Sequence, residues 1–258
     1  MTADAPDAPN PKPARSNEVV EIITSIGGAL LFVLALKVLV FLPYTIPSAS
    51  MEPNLYEGDY IIVSTYSYGY SRHSIPLSPP LFSGRIFFHE PARGDVVVFK
   101  LPRDNKTDYI KRVIGLPGDQ VQVKAGAVYV NGKPIRRTAK PAGTEDMGGG
   151  LIQPVQRFEE TLANGRRYLT NSYGSNGEVE NTGVYLVPQG EYFVMGDNRD
   201  NSLDSRFPKE VGVGFVPAEN LVGRARFVLL SWHPGASLFK PWTWVTNARI
   251  GRFFHLLS

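Results

Sequence analysis

A run of 21 residues near the start of the chain, Ile22 to Leu42, is apolar except for two hydroxyls, two glycines and Lys37. At about 1.5 Å per residue in a helix, this run matches a hydrocarbon core roughly 30 Å thick. A cleaved signal peptide would carry a shorter apolar stretch closer to the N-terminus. The run therefore predicts one retained transmembrane helix at residues 22–42. The tail before it, residues 1–21, is rich in alanine and proline and is predicted to be disordered.

Beyond Pro43 the apolar residues alternate with polar ones, which is the pattern of half-buried strands. Asn131-Gly132 and Asn164-Gly165 are typical hairpin turns. No long amphipathic pattern between residues 43 and 235 predicts a helix, so we predict an all-β domain. Residues 139–150, which end in three glycines, are predicted to form a flexible loop. The predicted strands are Tyr60–Thr65, Val96–Leu101, Tyr109–Ile114, Val121–Lys124, Val128–Val130, Tyr185–Val187 and Phe193–Met195.

Composition excludes several kinds of chemistry. The chain has no cysteine, which excludes a thiol nucleophile, thiolate metal sites and disulfides. Its four histidines are far apart and lack H-E-x-x-H spacing, so neither a metal nor a cofactor is expected. The acidic stretch at 196–207 has Arg199 at a ligand position of a calcium loop, which argues against calcium. A net charge of +3 with scattered basic residues predicts no nucleic-acid partner.

Two short segments contain candidate catalytic residues. In "IPSASMEP" (46–53), Ser48 and Ser50 follow closely on the apolar run. Their small-x-small spacing is typical of a processing site, and the alternative is that Ser50 is itself a nucleophile. In "DYIKRVIGLPGD" (108–119), Lys111 would share one strand face with Tyr109 and Val113. Most strand lysines are exposed to solvent, so the residues alone leave both interpretations open, as they do a Ser-His-Asp triad.

Five blocks in order resemble the bacterial type I signal peptidases, also called leader peptidases. They are "IPSASMEP", "GDYIIV" (58–63), "RGDVVVFK" (93–100), "DYIKRVIGLPGD" and "GDNRDNSLDSR" (196–206). The resemblance extends from about residue 43 to residue 230. It implies a membrane-bound serine endopeptidase that cleaves signal peptides from exported preproteins. It also implies an antiparallel catalytic β core at 43–117 and 191–235, with a second β domain inserted at 118–190.

The resemblance also implies roles for individual residues. Ser50 would be the nucleophile and Lys111 the general base, while Ser48 and the Ser50 backbone N–H would form the oxyanion hole. Ser202 would orient the lysine. Residues that support the lysine would be Gly196, Asp197, Arg112, Arg199, Asp204 and Arg206. Pockets for small substrate residues at positions −3 and −1 would be lined by Tyr44, Ile46, Pro47, Leu55, Ile61, Val98, Tyr109 and Ile110, for each of which core packing is the alternative.

The position of Ser50 predicts where such an enzyme would act. Ser50 lies eight positions after Leu42, a span of at most about 26–29 Å when extended. The partners would therefore be membrane-tethered preproteins and the lipid bilayer. The family keeps its catalytic domain on the extracytoplasmic side of the bacterial cytoplasmic membrane. The aromatic and basic segment at 236–258 is predicted either to contact the membrane interface or to cap the core.

Some features depart from the family pattern, and two alternatives remain. The chain has one apolar run where the best-known enterobacterial members have two, and Ala49 where glycine is common. The proline-rich connection at 71–92 is a further difference. One alternative is a membrane-anchored β-domain binding or assembly protein of the envelope, in which Ser50 and Lys111 are inert. The other is a soluble Ser/Lys self-cleaving repressor, against which the apolar run argues.

Overall fold

A computed structural model describes residues 15–75, 77–147, 151–174, 179–233, 235 and 242–257. Most of the predicted tail (1–14), the three glycines of the predicted loop (148–150) and residues 236–241 of the C-terminal segment lie outside the described residues. The described residues contain two α-helices, α1 at Arg15–Val40 and α2 at Trp242–Thr246. Short 3-10 helices span Ala49–Met51, Arg72–Ser74, Ala218–Asn220 and Ile250–Arg252.

Strands dominate the described part of the chain. They are β1 Phe41–Thr45, β2 Asp59–Ser64, β3 Val96–Lys100, β4 Asp108–Gly115, β5 Gln120–Lys124, β6 Ala127–Val130, β7 Lys133–Pro134, β8 Arg136–Asp146, β9 Ile152–Thr161, β10 Arg167–Ser172, β11 Tyr185–Leu186, β12 Glu191–Met195, β13 Val216–Pro217, β14 Leu221–Ser231 and β15 His255–Leu256. All named pairings between them are antiparallel. The prediction of a mainly antiparallel β fold is confirmed, and each predicted strand coincides with an observed one.

Helix α1 differs from the predicted membrane segment at both ends. It begins at Arg15, inside the predicted tail, where the acidic Glu18 in the first turn favours a helix start. It ends at Val40, because Pro43 disfavours helical backbone before it and residues 41–45 pair with β2 instead. No helix in the part of the chain described by the structure is both long enough and apolar enough to cross a membrane. The transmembrane helix predicted at 22–42 is therefore not confirmed.

The largest sheet has its strands in the order β1-β2-β14-β3-β4-β12-β13, with β15 added to β14. It is buried on both faces. Val96 and Val98 of β3 belong to one apolar cluster, whereas Val97 and Phe99 belong to another. Successive strand residues point to opposite faces, so a continuous apolar run such as that of β3 fills both clusters.

The chain between β4 and β12 forms two further sheets. One has the order β10-β9-β8 and the other β11-β5-β6-β7. A third apolar cluster joins them to the main sheet, since it combines Val121 of β5 and Tyr168 of β10 with Ile114 of β4 and Phe193 of β12. The predicted division into a catalytic core and an inserted domain at 118–190 remains a prediction, and the observed order of strands is compatible with it.

The flexible loop predicted at 139–150 is wrong for residues 139–146, which form most of β8. The pairing of β8 with β9 changes register between Lys140 and Gly143. Pro141 and Gly143 therefore lie at a bulge, where a strand tolerates the missing N–H of proline and the absent side chain of glycine. The residues that suggested a loop instead mark an irregularity within a long strand.

The C-terminal segment packs on the main sheet. Strand β15 pairs with β14, and Leu257 packs against the same apolar cluster as Leu42. Arg252 donates a hydrogen bond to Asp59 at 2.6 Å. Trp242 and Phe254 are nevertheless exposed. The segment thus caps the core through its last residues and leaves aromatic side chains free for another contact.

Candidate active site

Ser50 and Lys111 lie in contact. Ser50 is part of the 3-10 helix Ala49–Met51 that follows β1. Lys111 lies on β4, whose neighbours in the main sheet are β3 and β12. The Nζ atom of Lys111 donates a hydrogen bond to the Oγ atom of Ser50 at 2.6 Å, across 61 positions of sequence. The fold therefore brings together the two residues for which the sequence predicts nucleophile and base.

The lysine is buried, with only 3% of the residue exposed. Burial lowers the pKa of the Lys111 ammonium from 10.5 to about 8, while the negative charges of Asp204 and Asp197 raise it and Arg206 lowers it further. Desolvation prevails because an ammonium loses its hydration when apolar strands surround it. A solvent-exposed lysine on an edge strand, the alternative from the sequence, does not describe Lys111.

A second hydroxyl lies beside Ser50. The Oγ atom of Ser48 lies 3.4 Å from the Oγ atom of Ser50. Ser48 precedes the 3-10 helix in extended conformation and makes no capping hydrogen bond with its side chain. Its hydroxyl is therefore available to interact with a bound molecule next to Ser50.

The loop after β12 packs closely on the Ala49–Met51 turn that contains the candidate nucleophile Ser50 (the nucleophile turn). The N–H of Gly196 donates to Asp204 Oδ2 at 2.9 Å. A Cβ atom at position 196 would lie 2.3 Å from Ser202 Oγ and 2.5 Å from the Ser50 carbonyl oxygen. Only glycine fits here, because real Cβ contacts are not that short. The absence of a side chain lets the loop approach both serines.

Arg112 and Asp197 form a buried ion pair behind the lysine. Arg112 follows Lys111 on β4 and so points to the opposite face of the sheet. Its Nε and Nη2 atoms donate to the two carboxylate oxygens of Asp197, each at 2.8 Å. Asn54 Nδ2 donates to the same carboxylate at 2.7 Å. The bidentate pair joins β4 to the loop after β12. The hydrogen bond from Asn54 joins the same loop to the chain that follows Ser50.

Two more buried arginines stabilise the same loop. Arg199 donates to both oxygens of Glu160 on β9, each at 2.6 Å, and Tyr168 donates to Glu160 at 2.9 Å. Arg206 donates to Asp204 at 2.8 Å. Burial raises the pKa of the Asp204 carboxyl, but Arg206 and the Gly196 N–H outweigh it and lower the pKa overall. Asp204 therefore stays anionic near Lys111.

Ser202 lies near the lysine but does not bind it. The residue is buried and lines the same cavity as Ser50 and Lys111. Its Oγ atom has no hydrogen-bond partner among the described residues. The predicted hydrogen bond from Ser202 to Lys111 is thus not formed in this structure.

An open cavity of about 550 Å³ contains the catalytic candidates. Of the eight residues predicted to bind substrate, Pro47, Tyr109 and Ile110 line it. The other five belong to, or pack against, an apolar core cluster; they are Ile46, Leu55, Ile61, Val98 and Tyr44. Core packing is therefore what the structure shows for these five.

Several residues of the site were not found from the sequence. Glu160 and Tyr168 come from the small three-stranded sheet, whose strands the alternation pattern did not predict. Glu145, on β8, hydrogen-bonds Asn198 at 2.7 Å but lies in the segment predicted to be a loop. Asn198 itself could have been found, because it lies within the matched block at 196–206.

Comparisons with known proteins agree on one family. A family model described as signal peptidase, peptidase S26, matches residues 19–232. A signal peptidase I of Rickettsia typhi is 42% identical over 240 residues, which cover 86% of this chain and 87% of that protein. A signal peptidase I of Rickettsia massiliae is 42% identical over 253 residues, which cover 89% and 91%.

A crystal structure of a signal peptidase I from Enterococcus faecalis matches with 26% identity and a TM-score of 0.30, over 53% of this chain and 97% of that one. The family assignment does not depend on that superposition. It depends on the sequence matches, and the family-model match at 19–232 includes the segments of Ser50, Lys111 and the loop after β12. The chain belongs to the signal peptidase I family of peptide hydrolases, peptidase S26.

Proposed function

We propose that this chain is a serine endopeptidase that cleaves signal peptides from exported preproteins, with Ser50 as nucleophile and Lys111 as general base. One observation carries the proposal, the 2.6 Å contact between Ser50 Oγ and a lysine amine that is 3% exposed. A base must be neutral to accept a proton. With a pKa of about 8, about one tenth of Lys111 is neutral at pH 7, against about 0.03% at a pKa of 10.5.

The proposed reaction has two halves. In the first, the neutral Nζ of Lys111 takes the proton of Ser50 as Oγ bonds to the carbonyl carbon of the substrate. The Ser50 N–H and the Ser48 hydroxyl stabilise the resulting oxyanion. The lysine ammonium then gives its proton to the leaving amine, which leaves an ester on Ser50. In the second half, Lys111 takes a proton from water as the water oxygen bonds to the ester carbon. The lysine ammonium then returns the proton to Ser50 Oγ as the ester bond breaks and the acid is released.

Substrate selection follows from the cavity walls. Pro47, Tyr109 and Ile110 line the space beside Ser50 and Lys111. These apolar side chains are the support for binding small residues at positions −3 and −1 of a signal peptide. Cleavage after a small-x-small sequence is therefore part of the proposal.

A test of the proposal is incubation of the detergent-solubilised full chain with a preprotein that carries a small-x-small site. The wild-type protein should cut after the second small residue, as mass spectrometry of the products shows. Ser50→Ala and Lys111→Ala should each abolish cleavage while circular dichroism shows a folded protein. Ser83→Ala, which changes an exposed serine outside the cavity, is the matched control.

Two results would contradict the proposal. Near-normal turnover by folded Ser50→Ala or Lys111→Ala would show that the proposed Ser50/Lys111 mechanism is wrong. An intact preprotein with every variant, wild type included, would favour an envelope binding or assembly protein. N-terminal sequencing tests the processing hypothesis, since a start at Met51 would separate Ser50 from the rest of its own chain.

We further propose that α1 attaches the enzyme to the bacterial cytoplasmic membrane, with the strands on the extracytoplasmic side. Leu30, Leu31, Phe32 and Val33 form one complete turn of α1, and each is 60–69% exposed. Exposed apolar surface all round a helix is stable only against another apolar phase. Trp242 and other exposed aromatics of the C-terminal segment suit the headgroup region of the same bilayer.

A further inference from the structure

Glu145 is a buried glutamate on β8 that takes no part in the proposed reaction. Only 1% of the residue is exposed. A buried carboxylate is costly unless other groups replace the hydration that it has lost. Its oxygens accept hydrogen bonds from the amides of Asn198 and Asn201, at 2.7 and 2.8 Å. The Tyr173 hydroxyl also interacts with this carboxylate, and no lysine or arginine among the described residues pairs with it. The carboxylate is thus hydrogen-bonded to the loop after β12, which contains both asparagines.

Asn198 connects Glu145 to the nucleophile turn. Its Nδ2 group also donates to the carbonyl oxygen of Ala49 at 3.2 Å, and its backbone N–H donates to the carbonyl oxygen of Ser50 at 3.1 Å. The Oδ1 atom of Asn198 makes no hydrogen bond within the described residues. The amide is therefore oriented through Nδ2 alone, with one hydrogen toward Glu145 and the other toward Ala49.

The Ala49–Ser50 peptide determines where the Ser50 N–H points. A trans peptide is planar, and its C=O and N–H bonds point in opposite directions. The Ala49 carbonyl is fixed by Asn198 Nδ2 at 3.2 Å and by the Glu52 N–H at 3.0 Å. A fixed carbonyl direction fixes the opposite direction of the Ser50 N–H, which is the proposed oxyanion donor.

We infer that Glu145 is a positioning residue for the oxyanion hole, because it orients the Asn198 amide that holds the Ala49–Ser50 peptide. The inference rests on the proposed function of Ser50. It places a determinant of catalysis on β8 of the small sheet, 95 positions along the chain from the nucleophile. Removal of the Glu145 carboxylate frees the Asn198 amide to rotate. The Ala49 carbonyl then keeps only the hydrogen bond from the Glu52 N–H, and the Ser50 N–H is held less firmly in its direction. Small misplacements of catalytic groups can cost about 100-fold in rate.

The experiment compares Glu145→Ala and Glu145→Gln with a control in the full-length protein. Glu159→Gln is the matched control, because Glu159 lies on β9 of the same sheet and pairs with the surface residue Lys140, at 3.3 Å. We expect Glu145→Ala to lower kcat about 10- to 100-fold with KM changed less than twofold. Glu145→Gln keeps one acceptor oxygen, so its kcat should fall less than that of Glu145→Ala. Glu159→Gln should retain wild-type kcat.

Two further readouts separate positioning from general destabilisation. The pH at which kcat/KM rises should be unchanged in Glu145→Gln, because Lys111 is not part of this network. The double variant Glu145→Ala/Asn198→Ala should be no slower than Asn198→Ala, since both changes release the same peptide. If Glu145→Ala does not fold, the same comparison is made with Glu145→Gln.

Failure of this inference can be told apart from failure of the proposed function. A wild-type protein that leaves the preprotein intact overturns both. If the wild type cleaves and a folded Glu145 variant keeps wild-type kcat, or loses only in KM, then the positioning role alone is wrong. Additive losses in the double variant also contradict it.

Discussion

Ser48 is the residue of the site whose contribution is easiest to isolate. Its hydroxyl lies 3.4 Å from Ser50 Oγ, and no hydrogen bond of its own secondary structure uses it. We predict that Ser48→Ala impairs cleavage without abolishing it. Loss of one oxyanion donor typically costs about 2.7–4 kcal/mol of transition-state stabilisation, or about 100- to 1000-fold in kcat. Single-turnover rates under saturating enzyme measure this, and a rate within twofold of Ser83→Ala would contradict the prediction.

At the residue scale, the matched blocks named the two candidate catalytic residues and much of the loop beside them, but not which side chains are buried or which contacts come from the small sheet. The matched blocks name Ser50 and Lys111. Strand alternation places Lys111 and Arg112 on opposite faces, but it does not say which face is buried. In this fold both faces are covered, so both residues are buried. No local sequence pattern indicates a role for Glu145, because that role depends on a contact with Asn198, 53 positions away.

At the scale of elements, the loop after β12 packs closely on the nucleophile turn, and this contact positions the residues of the site. Gly196 makes that approach possible. We predict that Gly196→Ala lowers the free energy of unfolding by about 1–3 kcal/mol, the usual cost of an extra methyl in a packed interior. Cleavage should also slow, because the new methyl displaces Ser202 or the Ser50 carbonyl. Urea unfolding and kcat measure the two effects.

Gly183→Ala is the control for this substitution. An added Cβ at position 183 meets nothing within 4 Å, and the backbone there does not have positive φ. Equal stability and equal kcat in the two alanine variants would show that the approach of the β12 loop is not tight.

Among the elements, alternating strands could be predicted and irregular ones could not. Strands β2 to β6 follow the expected pattern within a residue or two of their observed bounds. Strand β1 was hidden in the end of the apolar run, where hydropathy alone does not separate helix from strand. Strand β8 contains Pro141 and Gly143, and its pairing with β9 depends on a bulge that only tertiary structure reveals.

At the scale of the whole molecule, the apolar surface of α1 predicts association with lipid. Full-length protein should float with phosphatidylglycerol/phosphatidylcholine vesicles in a density gradient. Replacement of the four residues at 30–33 by serine removes the exposed apolar turn and should shift most of the protein to the bottom fraction. A matched replacement by four alanines, which keeps the helix, should float at an intermediate level. Equal flotation of the serine variant would contradict attachment through α1.

The central claim concerns the whole fold, because we propose that burial by the main sheet lets Lys111 act as a base near neutral pH. The pKa of Lys111 is lowered, so the neutral amine becomes abundant as pH rises through about 8. The most direct test is the pH dependence of kcat/KM for preprotein cleavage, which reports the ionisation of the free enzyme. We predict that kcat/KM rises tenfold per pH unit below pH 8 and is constant above it. A profile that is flat from pH 6 to 9, or that continues to rise to about pH 10.5, would contradict the account.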